Sequence, residues 1–398
     1  MFELEEVVAQ EPEMGSTVIK VVGVGGAGGN AVEHMIREGV GGVEFICCNT
    51  DAQALKKSSA TIKLQLGPGL GAGGKPEKAR ELAKADRERI AEVLQGAHMI
   101  FITAGMGGGT GTGAGPVVAE VARELGILTV AVVTKPFEHE GKRKRTAEAG
   151  IAELALHVDS LIVILNEKLE EVLGEDVCML DAFKAADNVL RNAVGGIAEI
   201  INVTGLVNVD FEDVKTVMNE MGKAMMGSAT AAGVDRARVA AEAAVLSPLL
   251  EGIELSGARG VLVNITASST LGLREYKEVM NTIKQYTAPE ATVICGAVFD
   301  EAMEDQLRVT VVATGLGGVV VRAEAAKPNI RMVEPVGLRT GTDNLPVYDS
   351  GIGQVQIDLS SVTSSARGST PRNAQADAMA ASGVDKYDIP AFLRRQSD

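Results

Sequence analysis

The sequence predicts an α/β protein: a parallel sheet wrapped by helices, then a long helix, then a second α/β unit with a mixed sheet. Three observations carry this reading. Between residues 17 and 165, Val- and Ile-rich runs alternate with amphipathic stretches, the pattern of strands buried on both faces and joined by helices. Two glycine clusters, GVGGAGGN (23–30) and GMGGGTGTG (105–113), each end an apolar run and open a helical one. Beyond residue 320 all periodicity collapses into Pro, Ser, Gly, Asn and Ala.

Taken in order, residues 1–16 form an acidic N-terminal extension without the basic start and long apolar run of a secretory leader. Strands follow at TVIKVVGVG (17–25), VEFICCN (43–49), TIKLQL (61–66), HMIFITAG (98–105), ILTVAVVTK (127–135) and SLIVIL (160–165). PEKARELAKADRERIAEVLQ (76–95) has the spacing of one amphipathic helix. CMLDAFKAADNVLRNAVGGIAEII (178–201) is apolar on more than one face and free of Pro, so it predicts a helix buried between two domains. GLVNVDFEDVKTVM (205–218) leads into the second unit, with strands at 257–267, 291–300 and 307–315 and a helix at 274–286. Two of those strands are consecutive, hence a mixed sheet. The methionines of MNEMGKAMMG (218–227) read as core filling. Residues 321–384 read as a flexible linker with a root-mean-square span of about 45 Å. The closing stretch 385–398, DKYDIPAFLRRQSD, brings apolar residues back beside Arg394 and Arg395, the make-up of a binding peptide.

Composition narrows the function. The 398 residues carry 38 Lys and Arg against 53 Asp and Glu, a net charge of −15, and only 3% aromatics with no Trp. That argues against a broad phosphate-backbone surface or a base-stacking platform for nucleic acid. No run reaches the roughly 18 apolar residues of a membrane span. Cys47, Cys48, Cys178 and Cys295 show no zinc spacing and read as buried, reduced thiols of an intracellular protein. His34, His98, His139 and His157 are scattered over different elements, so no metal site is expected.

The glycine loops carry the chemistry. A helix N-terminus offers unpaired N–H groups and the positive end of a dipole, and glycine lets the backbone approach phosphate oxygens without a Cβ in the way. Three nucleotide readings compete. Gly23, Gly25 and Gly28 satisfy GxGxxG, with Asp51 about 23 residues on, a Rossmann-like dinucleotide fingerprint. That would suit an NAD-dependent oxidoreductase, but it leaves the second loop unexplained and supplies no proton-transfer residue. GLGAGGK (69–75) nearly makes a Walker A loop, yet Pro76 stands where Ser or Thr should meet magnesium. The third reading uses GGGTGTG itself, whose Thr110 and Thr112 hydroxyls would add donors between glycine N–H groups around a compact polyphosphate.

GGGTGTG, with GGAGGN upstream and NVDFEDV downstream, resembles the FtsZ family, the bacterial tubulin homologues that build the division ring. The likeness continues through VEFICCNTDAQAL, GILTVAVVTKPF, HVDSLI, GARGVLVNITA and DIPAFLRRQ, covering all but the linker. It implies a tubulin/FtsZ-like fold with a GTP-binding domain over 17–177, a central helix over 178–204 and a GTPase-activating domain over 205–320. It also implies GTP and GDP as ligands with Mg²⁺, head-to-tail polymerisation, and a cytoplasmic place at mid-cell. Gly26, Ala27, Gly28, Gly29 and Asn30 would wrap the phosphates, and Gly107, Gly108, Gly109, Thr110, Gly111, Thr112 and Gly113 would form the second cradle. Gly71, Ala72 and Gly73 would sense the γ-phosphate, Glu140 would face the ribose and Asn166 the guanine. Asp210 and Asp213 would complete the GTP site of the next subunit, orienting a water towards the γ-phosphate. From the residues alone, N-capping by Asp210 is the simpler role, and it accounts for only one of the pair. The tail would bind membrane-tethering partners of the FtsA and ZipA kind through Ile389, Pro390, Phe392, Leu393, Arg394 and Arg395.

The sequence also departs from the family. Asn188 stands where an Asp is expected to accept the guanine N1–H and N2–H, and Asp187 lies about 100° further round the helix. Weakened guanine affinity or selectivity is the expectation. EGKRKR is one residue short, so the phosphate-side cation falls on Arg143, or on Lys144 counting from Glu140. The approach to GLGAGG is about four residues short, Leu165 replaces a Pro, and Glu212 adds a third acid. These departures keep open a filament or scaffold with weakened hydrolysis.

Overall fold

The computed structural model describes residues 17–174, 178–202, 209–220, 222–246 and 257–316. One ten-stranded sheet organises them. Its order is β3-β2-β1-β4-β5-β6-β7-β10-β8-β9, with β1 (Ile19–Val24), β2 (Glu44–Asn49), β3 (Ile62–Gln65), β4 (Met99–Gly105), β5 (Leu128–Lys135) and β6 (Ser160–Leu165). The remaining strands are β7 (Gly222–Ala232), β8 (Gly260–Ala267), β9 (Thr292–Phe299) and β10 (Gln306–Leu316). The first six strands are parallel, as their unbroken apolar runs require. The second half is mixed: β8 and β9 pair in parallel, and β10 runs antiparallel to both β7 and β8.

The helices are α1 (Gly25–Arg37), α2 (Ala52–Lys57), α3 (Pro76–Ala85), α4 (Arg87–Leu94), α5 (Thr110–Glu124), α6 (Lys142–Leu154), α7 (Asn166–Leu173), α8 (Met179–Asn202), α9 (Phe211–Met218), α10 (Arg236–Val245) and α11 (Leu273–Tyr286). One core packs α1, α8 and α9 on one face of the sheet, with Met35, Phe101, Ile197 and Val214 fully buried. A second core, under α3 to α6, fills the opposite face of the parallel half. A third lies beneath α10 and α11.

Four sequence expectations change. The stretch 76–95 is two helices, because Asp86 leaves helical geometry and its carboxylate accepts the Gly67 N–H at 2.7 Å. β7 and α10 were missed. KAMMGSATAA has no β-branched run to announce a strand, yet β7 joins the halves, parallel to β6 and antiparallel to β10. The central helix is buried only in part. From Ala186 onward it packs on the sheet, with Gly196 passing close to Thr310, whereas Met179, Leu180 and Phe183 at its start are exposed. Cys178 is exposed, while Cys47, Cys48 and Cys295 are buried as expected. Burial pushes the Cys48 thiol up to about 12, so it stays protonated and unreactive.

The linker and tail, including Ile389, Pro390, Phe392, Leu393, Arg394 and Arg395, lie outside the described residues. Among the described residues no helix is long and apolar enough to cross a membrane.

Candidate functional site

Both glycine clusters lie at the carboxyl ends of neighbouring strands, β1 and β4. That edge is where parallel α/β sheets hold ligands. Neither α1 nor α5 has a capping side chain, and neither carries an acid in its first turn. Two positive helix ends with free N–H groups therefore converge on one place.

The glycines sort into two groups by what a Cβ would meet. At Gly28 it would sit 2.3 Å from the Thr103 carbonyl oxygen, at Gly111 2.6 Å from that of Gly105, and at Gly113 2.0 Å from that of Pro76. Gly28 and Gly111 are glycine so that helix and strand backbones can touch, and Gly113 so that α5 can meet the start of α3. Gly26, Gly29, Gly71, Gly73 and Gly108 would meet nothing within 4 Å, so their bare backbone faces open space where a ligand can come close. Gly107 needs glycine for its own shape, since its φ of 95° lies in the left-handed region.

The threonines differ in the same way. Thr112 is buried and its hydroxyl accepts the Gly107 N–H at 2.9 Å, so it shapes the loop from within. Thr110 pairs with Thr50 through their hydroxyls at 2.7 Å, and the Thr50 carbonyl accepts the Gly71 N–H. Thr50 thus ties the second cradle to the 69–74 loop. That loop abuts the cradle directly, with Ala72 against Gly109. A cleft of about 330 Å³ opens beside the cradle, lined by Gly25, Gly26, Gly29, Asn30, Asn49 and Asp51. The Asp51 carboxylate accepts the Gln53 N–H and so caps α2.

Further out, the segment after β5 brings Glu140 and Arg143 together as an ion pair, and Lys144 pairs with Glu138. The Arg143 carbonyl packs against Gly107, so this segment borders the second cradle. Asn166 is buried at the head of α7 with its Oδ1 lacking any partner among the described residues. A buried, unsatisfied acceptor is costly unless a ligand supplies the donor.

Asn188 turns to α1, its Oδ1 2.7 Å from His34 Nε2. Asp187 lies one helical turn beyond Phe183, on the same face, and no hydrogen bond from the described residues reaches it. Burial pushes its carboxyl up to about 6, with His34 pulling the other way. Phe183, half exposed, stands edge-on to Phe137, which stacks on His139. Sequence spacing alone sets Asp187 aside, because it assigns the inward face to the neighbouring Asn188. It gives no role to Phe183 or His34 either, although the i, i+4 spacing of Phe183 and Asp187 points to a shared face.

Asp210 caps α9, its carboxylate accepting the Asp213 N–H at 2.8 Å, and both side chains are exposed. They sit at the far end of the sheet. Phe211 packs edge-on against His98, just before β4, and the Ser160 hydroxyl at the start of β6 donates to the Met218 carbonyl. The cradle begins where β4 ends, seven residues later, which at about 3.3 Å per residue is roughly 23 Å away.

Fold and cradle define an α/β protein of the nucleotide-binding class, with a glycine-lined cradle at the carboxyl edge of its sheet. The Tubulin/FtsZ family, GTPase domain, matches residues 18–174, and the FtsZ family, C-terminal domain, matches residues 222–317. The chain belongs to the FtsZ family. It is 54% identical to a cell division protein FtsZ of Azotobacter vinelandii over the full length of both, and 52% identical to one of Pseudomonas aeruginosa, again over all of both. An empty FtsZ dimer from M. jannaschii superposes with a TM-score of 0.73 at 44% identity, covering 77% of this chain and 89% of that one. A protofilament of CetZ2 from Haloferax volcanii, at 21% identity and a TM-score of 0.66, covers 76% of this chain and 94% of that one and shares the fold. The GTPase domain sets aside the dinucleotide-dependent oxidoreductase.

Proposed function

We propose that this chain binds GTP in the double glycine cradle and hydrolyses it only within a head-to-tail polymer of itself, as part of the cell-division ring at mid-cell. The observation that carries this is a separation: a phosphate cradle at one edge of the sheet, and Asp210 and Asp213 at the other. No acid of the pair reaches its own cradle across about 23 Å. Stacking a second copy carboxyl edge to amino edge brings its acids to the first copy's γ-phosphate.

Each residue has a task in that arrangement. The open backbone of Gly26, Gly29 and Gly108 and the first N–H groups of α1 and α5 hold phosphate oxygens. Asp187 accepts both guanine donors, N1–H and N2–H, while Asn166 Oδ1 accepts a third donor from nucleotide or bound water. Phe183 covers the base, and the Glu140–Arg143 pair lies at the ribose side. A Mg²⁺ ion bound with the nucleotide would supply charge neutralisation on the triphosphate. The next subunit's Asp213 and Asp210 orient the attacking water, with Asp210 keeping its capping bond to α9. With Asp187 available as acceptor, ordinary preference for GTP over ATP replaces the expected loss.

The tail, through Ile389, Pro390, Phe392, Leu393, Arg394 and Arg395, would carry the polymer to membrane-tethering proteins of the FtsA and ZipA kind. Phosphate release from GTP and from ATP, measured across protein concentration with pelleting in parallel, tests the function. Specific GTP turnover that climbs above a threshold together with pelletable polymer is the expected result. Turnover independent of concentration would overturn the shared site, and polymer without turnover would restore the scaffold reading.

A further inference from the structure

The 69–74 loop, which the GTP reading sets beside the γ-phosphate, has little side-chain support. Gly69, Gly71, Gly73 and Gly74 all have positive φ. Backbone bonds hold it at three points: Ala52 N–H to Gly69 O, Gly71 N–H to Thr50 O, and Lys75 N–H to Ala72 O. One side chain joins them. Lys78 Nζ donates to the Gly71 carbonyl at 3.1 Å.

The placement of Lys78 is not what the helix alone would favour. It lies in the first turn of α3, where a cation opposes the helix dipole. Lys75, at the N-cap, makes no capping bond either. The start of α3 is otherwise ordinary, with Pro76 at its first position and Glu77 in its first turn, so Lys78 is the residue there that the helix does not call for. Lys78 also has no acidic partner among the described residues.

We propose that Lys78 is a positioning residue for the γ-phosphate, acting through Gly71 rather than on the nucleotide. In a trans peptide the carbonyl and the following N–H point in opposite directions. Fixing Gly71 O towards Lys78 therefore turns the Ala72 N–H away from α3. Ala72 itself packs on Gly109 of the second cradle, so the freed donor is presented beside the phosphate site. Gly73 and Gly74 follow in left-handed geometry, which makes the kind of N–H concavity that holds an anion. A GDP-bound chain has no phosphate group there, so the latch distinguishes GTP from GDP.

This rests on the GTP reading above, and the test keeps the two apart. Affinities for fluorescent GDP and for a slowly hydrolysed GTP analogue are measured on the full chain below its assembly threshold. Lys78→Met should weaken the GTP analogue about fivefold, the worth of one net hydrogen bond, and leave GDP within about twofold. Lys78→Gln, which keeps a donor and loses the charge, should recover most of that difference. Equal losses for both nucleotides, or Gln behaving like Met, would overturn the latch in favour of a structural or direct charge role. Hydrogen exchange without nucleotide gives an independent readout: Lys78→Met should speed exchange in 70–74 and leave α3 unchanged. Unaltered exchange there would sink the latch even if the chain bound no GTP.

Discussion

Asp187 should be a stability liability that the nucleotide repays. Its carboxyl is half-buried, receives no hydrogen bond from the described residues, and stands at about 6 against an ordinary 3.8. A folded-state value above the unfolded one means that the native chain holds its proton more tightly. Stability is therefore lost as pH rises between about 4 and 6, and the full cost persists above that window. Roughly two pH units correspond to about 3 kcal/mol at pH 7.5 and to about half that at pH 5. Asp187→Asn removes the ionisation. The nucleotide-free variant should then melt up to about 6 °C higher than the parent at pH 7.5, taking about 2 °C per kcal/mol for a chain of this size. That figure is an upper bound, because the amide is also buried without a partner. At pH 5 the gap should shrink by about half. Saturating GDP should reverse the order, since guanine donors satisfy the carboxylate and not the amide. Calorimetry of nucleotide-free and GDP-loaded protein at the two pH values decides it. A variant no more stable than its parent at pH 7.5, or one that gains equally from GDP, would refute the placement of Asp187 in the base site.

Three further outcomes follow from the same geometry. GDP and GTP should bind about tenfold more weakly at pH 5 than at pH 7.5, because only ionised Asp187 accepts both guanine donors; titrations giving the same affinity at both pH values would contradict this. Asp210→Ala should abolish turnover and cost about 1 kcal/mol through loss of the α9 cap, whereas Asp210→Asn should abolish turnover at little cost in melting temperature; a variant that still releases phosphate removes Asp210 from the shared site. Gly28→Ala and Gly113→Ala should prevent folding or strongly destabilise the chain, while Gly29→Ala should keep the fold and lose nucleotide affinity. Circular dichroism and nucleotide titration separate the two groups, and a stable Gly113→Ala protein would disprove the close approach of α5 to Pro76.

What the sequence disclosed followed the strength of its periodic signals. The six parallel strands and the glycine loops were legible because few other structures produce continuous Val and Ile runs followed by helix-opening glycines. β7 was not, since GKAMMGSATAA has small and flexible side chains that only tertiary pairing commits to a strand. The helix break at Asp86 depends on a hydrogen bond to Gly67, 19 residues away, which no local pattern records. In the site, the residue types were readable and the facing was not. Asp187 and Asn188 differ by one helical step, and the His34 contact that Asn188 makes, reached across 154 residues, is recorded by no local pattern.

If the proposed shared site holds, the separation of cradle and acids would also let this fold time its own hydrolysis. A chain that kept both halves of the site at one edge would hydrolyse GTP as a monomer and arrive at a polymer already spent. Here the cradle and the two acids are held apart by the parallel strands β1, β4, β5 and β6, whose core residues are almost wholly buried. Bringing them together within one chain would require breaking that core, which is far more costly than docking a second copy. In the proposed function the sheet would thus be both spacer and safeguard, and a pair of defective chains can test it. A variant with a blocked cradle, such as Gly108→Trp, and a variant lacking Asp213 should each be inactive alone. Mixed, they can stack so that intact acids meet an intact cradle, and turnover should reappear in proportion to the mixed interfaces. Two inactive chains that stay inactive when mixed, while still co-pelleting, would mean that the acids serve their own cradle after all.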